Sequence, residues 1–185
     1  VEITAYGAYA EMTYAISDHM RVIGGLRYNY EDREGTGSFI FNAAGLDLPT
    51  NKSKDWSDVT PRLTFQYEPN DTTMMYVTYT EAFKSGVINT GSLDAPLDPE
   101  TVDAVEFGIK GSNEDGSLTY AVAAFLYDYK DLQISFVNEQ STVTTVNAAE
   151  AENYGAEIEL KAQFNDAFSV DLFATFLSAE YKEFI

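Results

Sequence analysis

From Glu157 to Phe164 the chain alternates strictly, with apolar Ile158, Leu160, Ala162 and Phe164 interleaved with polar Glu157, Glu159, Lys161 and Gln163. A period of two puts opposite chemistries on opposite faces of a β-strand. In a soluble sandwich the apolar face would meet a core. Here the pattern recurs along almost the whole chain in unusually long runs, which allows the wet face to be the interior.

Two further stretches repeat it. Val22, Leu26, Tyr28 and Tyr30 oppose Arg21, Arg27, Asn29 and Glu31, and Val59, Pro61, Leu63, Phe65 and Tyr67 oppose Asp58, Thr60, Arg62, Thr64 and Gln66. Mid-strand charges would be buried in a small dry core, whereas a wide, water-filled or plugged lumen accommodates them. Around 117–129 both faces are apolar, and Phe125, Tyr127 and Tyr129 are expected to face outward because that leaves Asp128 and Lys130 inward. Tyr14, Tyr28, Tyr30, Tyr67, Tyr79 and Tyr127 suit aromatic girdles at the two membrane interfaces.

Turn chemistry divides the chain into hairpins with two kinds of connection. Ser17-Asp18-His19, Glu68 to Asp71, Asn113 to Gly116 and Asn165-Asp166-Ala167 are short and rich in residues that tolerate tight turns. Between them lie longer connections, Glu34 to Asp55, Ser85 to Glu100, and a tip near Asn138 to Ser141. The implied strands are about eight, near 3–16, 20–33, 56–68, 72–83, 101–112, 117–137, 142–164 and 168–184. Short turns at one end and long loops at the other are the habit of bacterial outer-membrane barrels. The pair 117–137 and 142–164 exceeds the roughly 9–11 residues that cross a bilayer, so its excess should project above the membrane.

Composition narrows the class. With 13 Tyr and 12 Phe among 185 residues the bias is toward strand-favouring aromatics, and no linker divides what reads as one all-β unit. A net charge of -19, with 11 Lys and Arg scattered along the chain, argues against nucleic acid. There is no Cys, hence neither a disulfide framework nor a thiolate metal site. The longest apolar run, Tyr120 to Tyr127, is too short for a spanning helix. The stretch from Val1 shows neither the basic nor the apolar region of a signal peptide, and the expectation is a mature form or, foremost, an internal segment.

Four stretches, YVTYTEAFKSGVIN (Tyr76 to Asn89), LDPETVDAVEFGIKG (Leu97 to Gly111), LTYAVAAFLYDYKDLQI (Leu118 to Ile134) and NAAEAENYGAEIEL (Asn147 to Leu160), occur in the order and spacing of one family's barrel. With the opening hairpin Ala8 to Arg33, they make nearly the full chain resemble the TonB-dependent outer-membrane receptors. Val87-Ile88-Asn89 departs from the glycine-rich continuation usual after Phe83 to Gly86. The resemblance implies an antiparallel up-and-down transmembrane β-barrel of about 22 strands, of which this chain would supply about eight. The N-terminal plug and the C-terminal strands would then be absent, and the piece alone, with two open edges, should aggregate or need detergent. The implied function is active transport of a scarce nutrient, foremost an iron–siderophore complex, by a monomeric barrel in outer-membrane lipid that meets TonB through the plug. A passive porin and a soluble β-sandwich or adhesin are the alternatives.

Catalysis finds no support, since the one histidine, His19, falls in a short turn. No cofactor is implied. The acidic stretch 94–103, with Asp94, Asp98, Glu100 and Asp103, reads as a solvated loop, with calcium binding its sharper alternative, and Asn113, Asp115 and Gly116 read as a hairpin turn. If the chain is a receptor, ligand contacts fall to Trp56, Lys84, Asn89 and the polar residues from Asn138 to Thr142. Trp56 could stack on a ligand or anchor at the interface, and general interfacial preference favours the anchor. Glu106, Lys110, Glu157, Glu159 and Lys161 are expected to form wall networks or plug contacts.

Overall fold

The computed structural model describes residues 1–41, 44–137 and 143–184. They form one antiparallel sheet, β1 (Glu2–Ser17), β2 (Met20–Phe41), β3 (Leu46–Asn70), β4 (Thr73–Lys84), β5 (Glu100–Ser112), β6 (Leu118–Val137), β7 (Val143–Asn165) and β8 (Phe168–Phe184). The strands pair strictly in chain order from β1 to β8, so every connection is a hairpin. No second sheet covers either face among the described residues, which decides against the sandwich.

Three of the four short turns are closed by an asparagine side chain acting on its own backbone. Asn70 Oδ1 accepts from the Thr72 N–H at 3.0 Å, Asn113 Oδ1 from Leu118 at 2.9 Å, and Asn165 Oδ1 from Ala167 at 2.9 Å. In the fourth, His19 Nδ1 lies 2.9 Å from the Glu68 carbonyl oxygen, tying the first turn to the end of β3. The histidine is thus a turn residue.

Cross-strand partners share a face, so the register assigns every side chain to one side. One face carries Glu11, Arg27, Arg62, Thr64, Tyr76, Glu106, Lys110, Glu157 and Glu159, and the other carries Met12, Leu26, Leu63, Val77, Phe107, Val122 and Ile158. Large apolar side chains of the second face stand open, with Leu63 55% and Phe107 50% exposed, as a lipid-facing wall requires. On β4–β8 a row of carboxylates crosses this face. Glu81 pairs with Asp103, Asp103 with Asp128, Asp128 with Glu152, and Glu152 with Glu180, five acids side by side on five adjacent strands. The row directly beneath reads Tyr79, Val105, Leu126, Tyr154, Ser178, and below it lie Val77, Phe107, Ala124, Ala156 and Phe176.

Two expectations need correcting. Phe125, Tyr127 and Tyr129 lie on the polar face, opposite Glu106, Ala104 and Val102, and it is Asp128 and Lys130 that face outward. The aromatic rings are accommodated by glycines. Phe125 pairs with Gly155 and Tyr76 with Gly108, and a Cβ on either glycine would lie 2.7 and 2.3 Å from the partner ring. Large-on-nothing pairing lets an aromatic lie along the wall. The second correction concerns 34–55. It is mostly strand, paired without interruption from Glu34↔Ser53 to Phe41↔Leu46, so this hairpin stands as tall as that of β6 and β7.

Candidate functional site

The connection from β4 to β5, residues 85–99, is a strap laid across the polar face above the acidic row. Gly35 and Gly37 of β2 make room for it, since a Cβ on Gly37 would sit 2.6 Å from the Thr90 carbonyl and one on Gly35 2.9 Å from Thr90 Cγ2. Those glycines read as a loop in sequence, yet they serve close approach by the strap. Gly86 is equally constrained, its missing Cβ falling 2.6 Å from the Trp56 ring and 2.0 Å from the Leu97 carbonyl.

What core the sheet has lies here. Ser85, Trp56, Ile88 and Thr50 are all buried, at 4, 6, 6 and 8% exposure, in a chain whose described residues include no large side chain below 2%. On the β2–β3 side the strap is held by a three-membered network. Arg33 Nε donates to Glu31 at 2.5 Å and its Nη2 to the Ser85 hydroxyl at 2.9 Å, while that hydroxyl donates to Glu31 at 2.7 Å. Burial pushes the Glu31 carboxyl up, but the hydrogen bonds from Ser85 and Arg33 outweigh it and leave it below the ordinary range. Thr50 bonds the Thr90 carbonyl, Lys52 the Asp94 carbonyl, and Lys54 the Asp98 carboxylate at 3.2 Å.

The β6–β7 hairpin grips the other end. Gln133 Nε2 donates to the carbonyls of Ser85 at 2.9 Å and Asp98 at 3.1 Å, and its backbone N–H to Glu100 at 3.0 Å. Asn147 reaches Asp98 and the carbonyl of Asp131, a residue held at φ 55° in the bulge that interrupts the β6–β7 ladder.

The sequence-nominated residues divide accordingly. Trp56 is on the polar face beneath Gly86, so it is neither a lipid-facing anchor nor open to stacking, and Lys54 Nζ lies 5.4 Å from its ring. Lys84 is exposed and paired with Glu100 across β4 and β5 at 3.0 Å. Asn89 forms the turn of the strap, accepting from the Gly91 N–H at 3.0 Å. The three gather around the strap without converging on one point. Asn138 to Thr142 lie outside the described residues. The four acids of 94–103 take separate partners, Ser92 for Asp94, Lys54 for Asp98, Lys84 for Glu100 and Lys130 for Asp103, and among the described residues no group of three or more acidic or histidine side chains is placed to hold a metal ion. Sequence reasoning missed Asn147, Gln133, Glu31, Arg33 and Ser85 as strap anchors. The pairing of two buried-strand glycines with a connecting loop was the one available signal.

Below the strap the polar wall is a hydrogen-bonded surface around a hollow of about 610 Å³ lined by Glu11, Arg62, Tyr76, Glu106, Lys110 and Tyr127 among others. Tyr76 donates to Glu106 at 2.5 Å, Lys110 lies 5.4 Å from the Tyr76 ring, and Lys161 pairs with Glu159 at 2.7 Å. Glu106, Lys110, Glu159 and Lys161 thus take wall contacts of the expected kind, in two separate groups, while among the described residues Glu157 has no ion-pair partner.

This architecture has known counterparts. The chain is 27% identical over 130 residues to the ferric-pyoverdine BN7/BN8 receptor of Pseudomonas putida, an alignment covering 70% of this chain and 16% of that protein. It superposes on the ferric yersiniabactin uptake receptor of Yersinia pestis with a TM-score of 0.84 at 21% identity, covering 99% of this chain and 28% of the other. The copper transporter OprC gives 0.81 at 16% identity over 97% of this chain and 29% of its own length. The chain thus spans well under a third of these relatives, and the two solved structures testify to fold alone. Residues 1–183 match the model of the TonB dependent receptor-like β-barrel, and the chain belongs to that family.

Proposed function

We propose that this chain is a segment of the barrel wall of an outer-membrane receptor that actively imports an iron–siderophore complex, with a plug and the remaining strands supplied by sequence outside 1–185. The observation that carries the reading is the pairing of an apolar outer face, crossed on β4–β8 by a row of acids, with a polar inner face roofed by an anchored strap. A plugged lumen needs such a wet, charged wall, and capture from outside needs ordered structure above the membrane. The curated relative's name, a ferric-pyoverdine receptor, supports the iron–chelate class. TonB would engage through the plug, and the barrel would act as a monomer without covalent chemistry.

The test is uptake of labelled ferric chelates under iron limitation, in cells with and without the full gene, energised and de-energised. Loss on deletion, with the intact strain's uptake abolished by de-energisation, supports the proposal. Unchanged uptake of every ferric chelate tried counts against it, and gene-dependent uptake that survives de-energisation points to a porin.

A further inference from the structure

The acidic excess makes one feature of the inner wall conspicuous. Among the described residues seven of the 11 basic side chains are ion-paired, namely Arg21, Arg33, Lys54, Lys84, Lys130, Lys161 and Lys182. Of the other four, Lys52 donates to a carbonyl and Lys110 lies over Tyr76. The remaining two, Arg27 and Arg62, are diagonal neighbours on one face, since Arg27 pairs with Thr60 and Arg62 with Gly25. Two like charges at this spacing repel and are destabilising unless an anion lies between or beside them.

Carboxylates stand near but are engaged elsewhere or not engaged at all. Glu11 shares the Gly25 rung with Arg62, yet it is the Tyr9 hydroxyl that bonds Glu11, the Tyr9 ring lying over Gly25. Asp58 accepts from the Val59 N–H at 2.8 Å, and Glu81 makes no ion pair with either guanidinium. Arg27 donates only to Asn29 Oδ1, at 2.6 Å, with Nη2 over Gly7.

The two arginines line one hollow of about 510 Å³, together with Tyr9, Asn29, Thr60, Thr80 and, at its edge, the carboxylate Glu81. It opens where β3 and β4 part, because their ladder ends at Arg62↔Thr80, one residue short of Pro61, which has no N–H to donate. A gap in a sheet, flanked by two unneutralised guanidiniums, is chemically suited to an oxyanion. We propose that this hollow is a subsite for a carboxylate-bearing group. The carboxylate comes either from a soluble ligand or from a side chain elsewhere in the full-length protein.

Arginine-selective labelling of the full-length receptor in detergent with phenylglyoxal, read peptide by peptide, tests this. A soluble ligand predicts ready labelling of Arg27 and Arg62 that citrate slows about tenfold, the protection expected of one charge-assisted contact. A protein carboxylate predicts labelling already about tenfold slower than that of a free arginine derivative, accelerated by about 1 M salt as screening loosens the pair. Ready labelling that citrate leaves unchanged, or slow labelling that salt leaves unchanged, overturns the subsite. The outcome is independent of transport, because ferric uptake lost on gene deletion while both arginines stay unprotected sinks the subsite alone.

Discussion

Asn147 and Asp98 exchange a reciprocal pair of hydrogen bonds, the Asp98 N–H donating to Asn147 Oδ1 at 2.9 Å and Asn147 Nδ2 to the Asp98 carbonyl at 2.9 Å. A side-chain amide thus imitates one rung of a β-ladder, and the same Nδ2 donates to the Asp131 carbonyl at 2.8 Å. Asn147 thus ties the strap directly to the β6 bulge.

Replacing Asn147 by Ala should therefore free residues 86–98 locally, at a cost of about 1–3 kcal/mol. Hydrogen exchange of the full-length receptor should show faster exchange in strap peptides and little change in β1. Asn147→Asp keeps the acceptor but loses both donations, so it should be no better than Ala. Unchanged strap exchange in both variants would mean that Gln133 and Arg33 hold the strap unaided.

Glu31 gives the strap a pH dependence of defined sign. Its native pKa is depressed, so its contribution is fully present above the ordinary value of 4.5 and is lost as pH falls through the lower native value. Strap exchange, corrected for the intrinsic rate, should be flat from pH 7 to about 5 and rise below about 4. Glu31→Gln keeps an acceptor and removes the ionisation, so the acid-induced rise should shrink. A rise toward alkaline pH would contradict the assignment.

Gly155 and Phe125 form a pair that fixes side-chain size. A Cβ on Gly155 would sit 2.7 Å from the Phe125 ring and 2.4 Å from the Phe176 carbonyl, so Gly155→Val should destabilise the barrel by about 1–3 kcal/mol. The unfolding midpoint of the full-length receptor in detergent would report it. Adding Phe125→Leu should recover only part of the loss, because the backbone contact remains.

The acidic row should be electrostatically strained at its centre. Asp128 is flanked by Asp103 and Glu152, each already paired with a lysine, Lys130 and Lys182, while Asp128 has no ion-pair partner among the described residues. Asp128→Asn should raise the thermal midpoint at low salt, and the gain should fade at high salt. A lowered midpoint at both would show that the carboxylate is doing something other than repelling its neighbours.

Much of this was legible in the sequence, for physical reasons that also explain the failures. Period-two alternation at 157–164 and 58–67 gave faces that the register upholds, and asparagine-rich turns placed the hairpins. It failed at β6, where Ala and aromatic residues make both faces apolar and only the partner strands, carrying Glu106 and Gly155, decide the side. It failed again at Gly35 and Gly37, because a glycine that admits a distant strap looks the same in sequence as one that turns the chain. Trp56, Lys84 and Asn89 stand around the strap without converging, and the clamps at Asn147 and Gln133 escape the sequence because they depend on contacts from 33 to 49 residues away.

The row of five carboxylates also bears on how deep the wall can sit. Because barrel strands tilt, sinking the wall would carry these acids toward hydrocarbon one after another, each at a cost that is at most about 1 kcal/mol near the interface and grows with depth. Rising would instead expose Val105, Leu126 and Tyr154 to water, at up to about 1.5–3 kcal/mol for each large apolar side chain fully uncovered. The barrel's vertical position is thus held from both sides, and a membrane too thick for it would thin around the rim as the acids resist being covered.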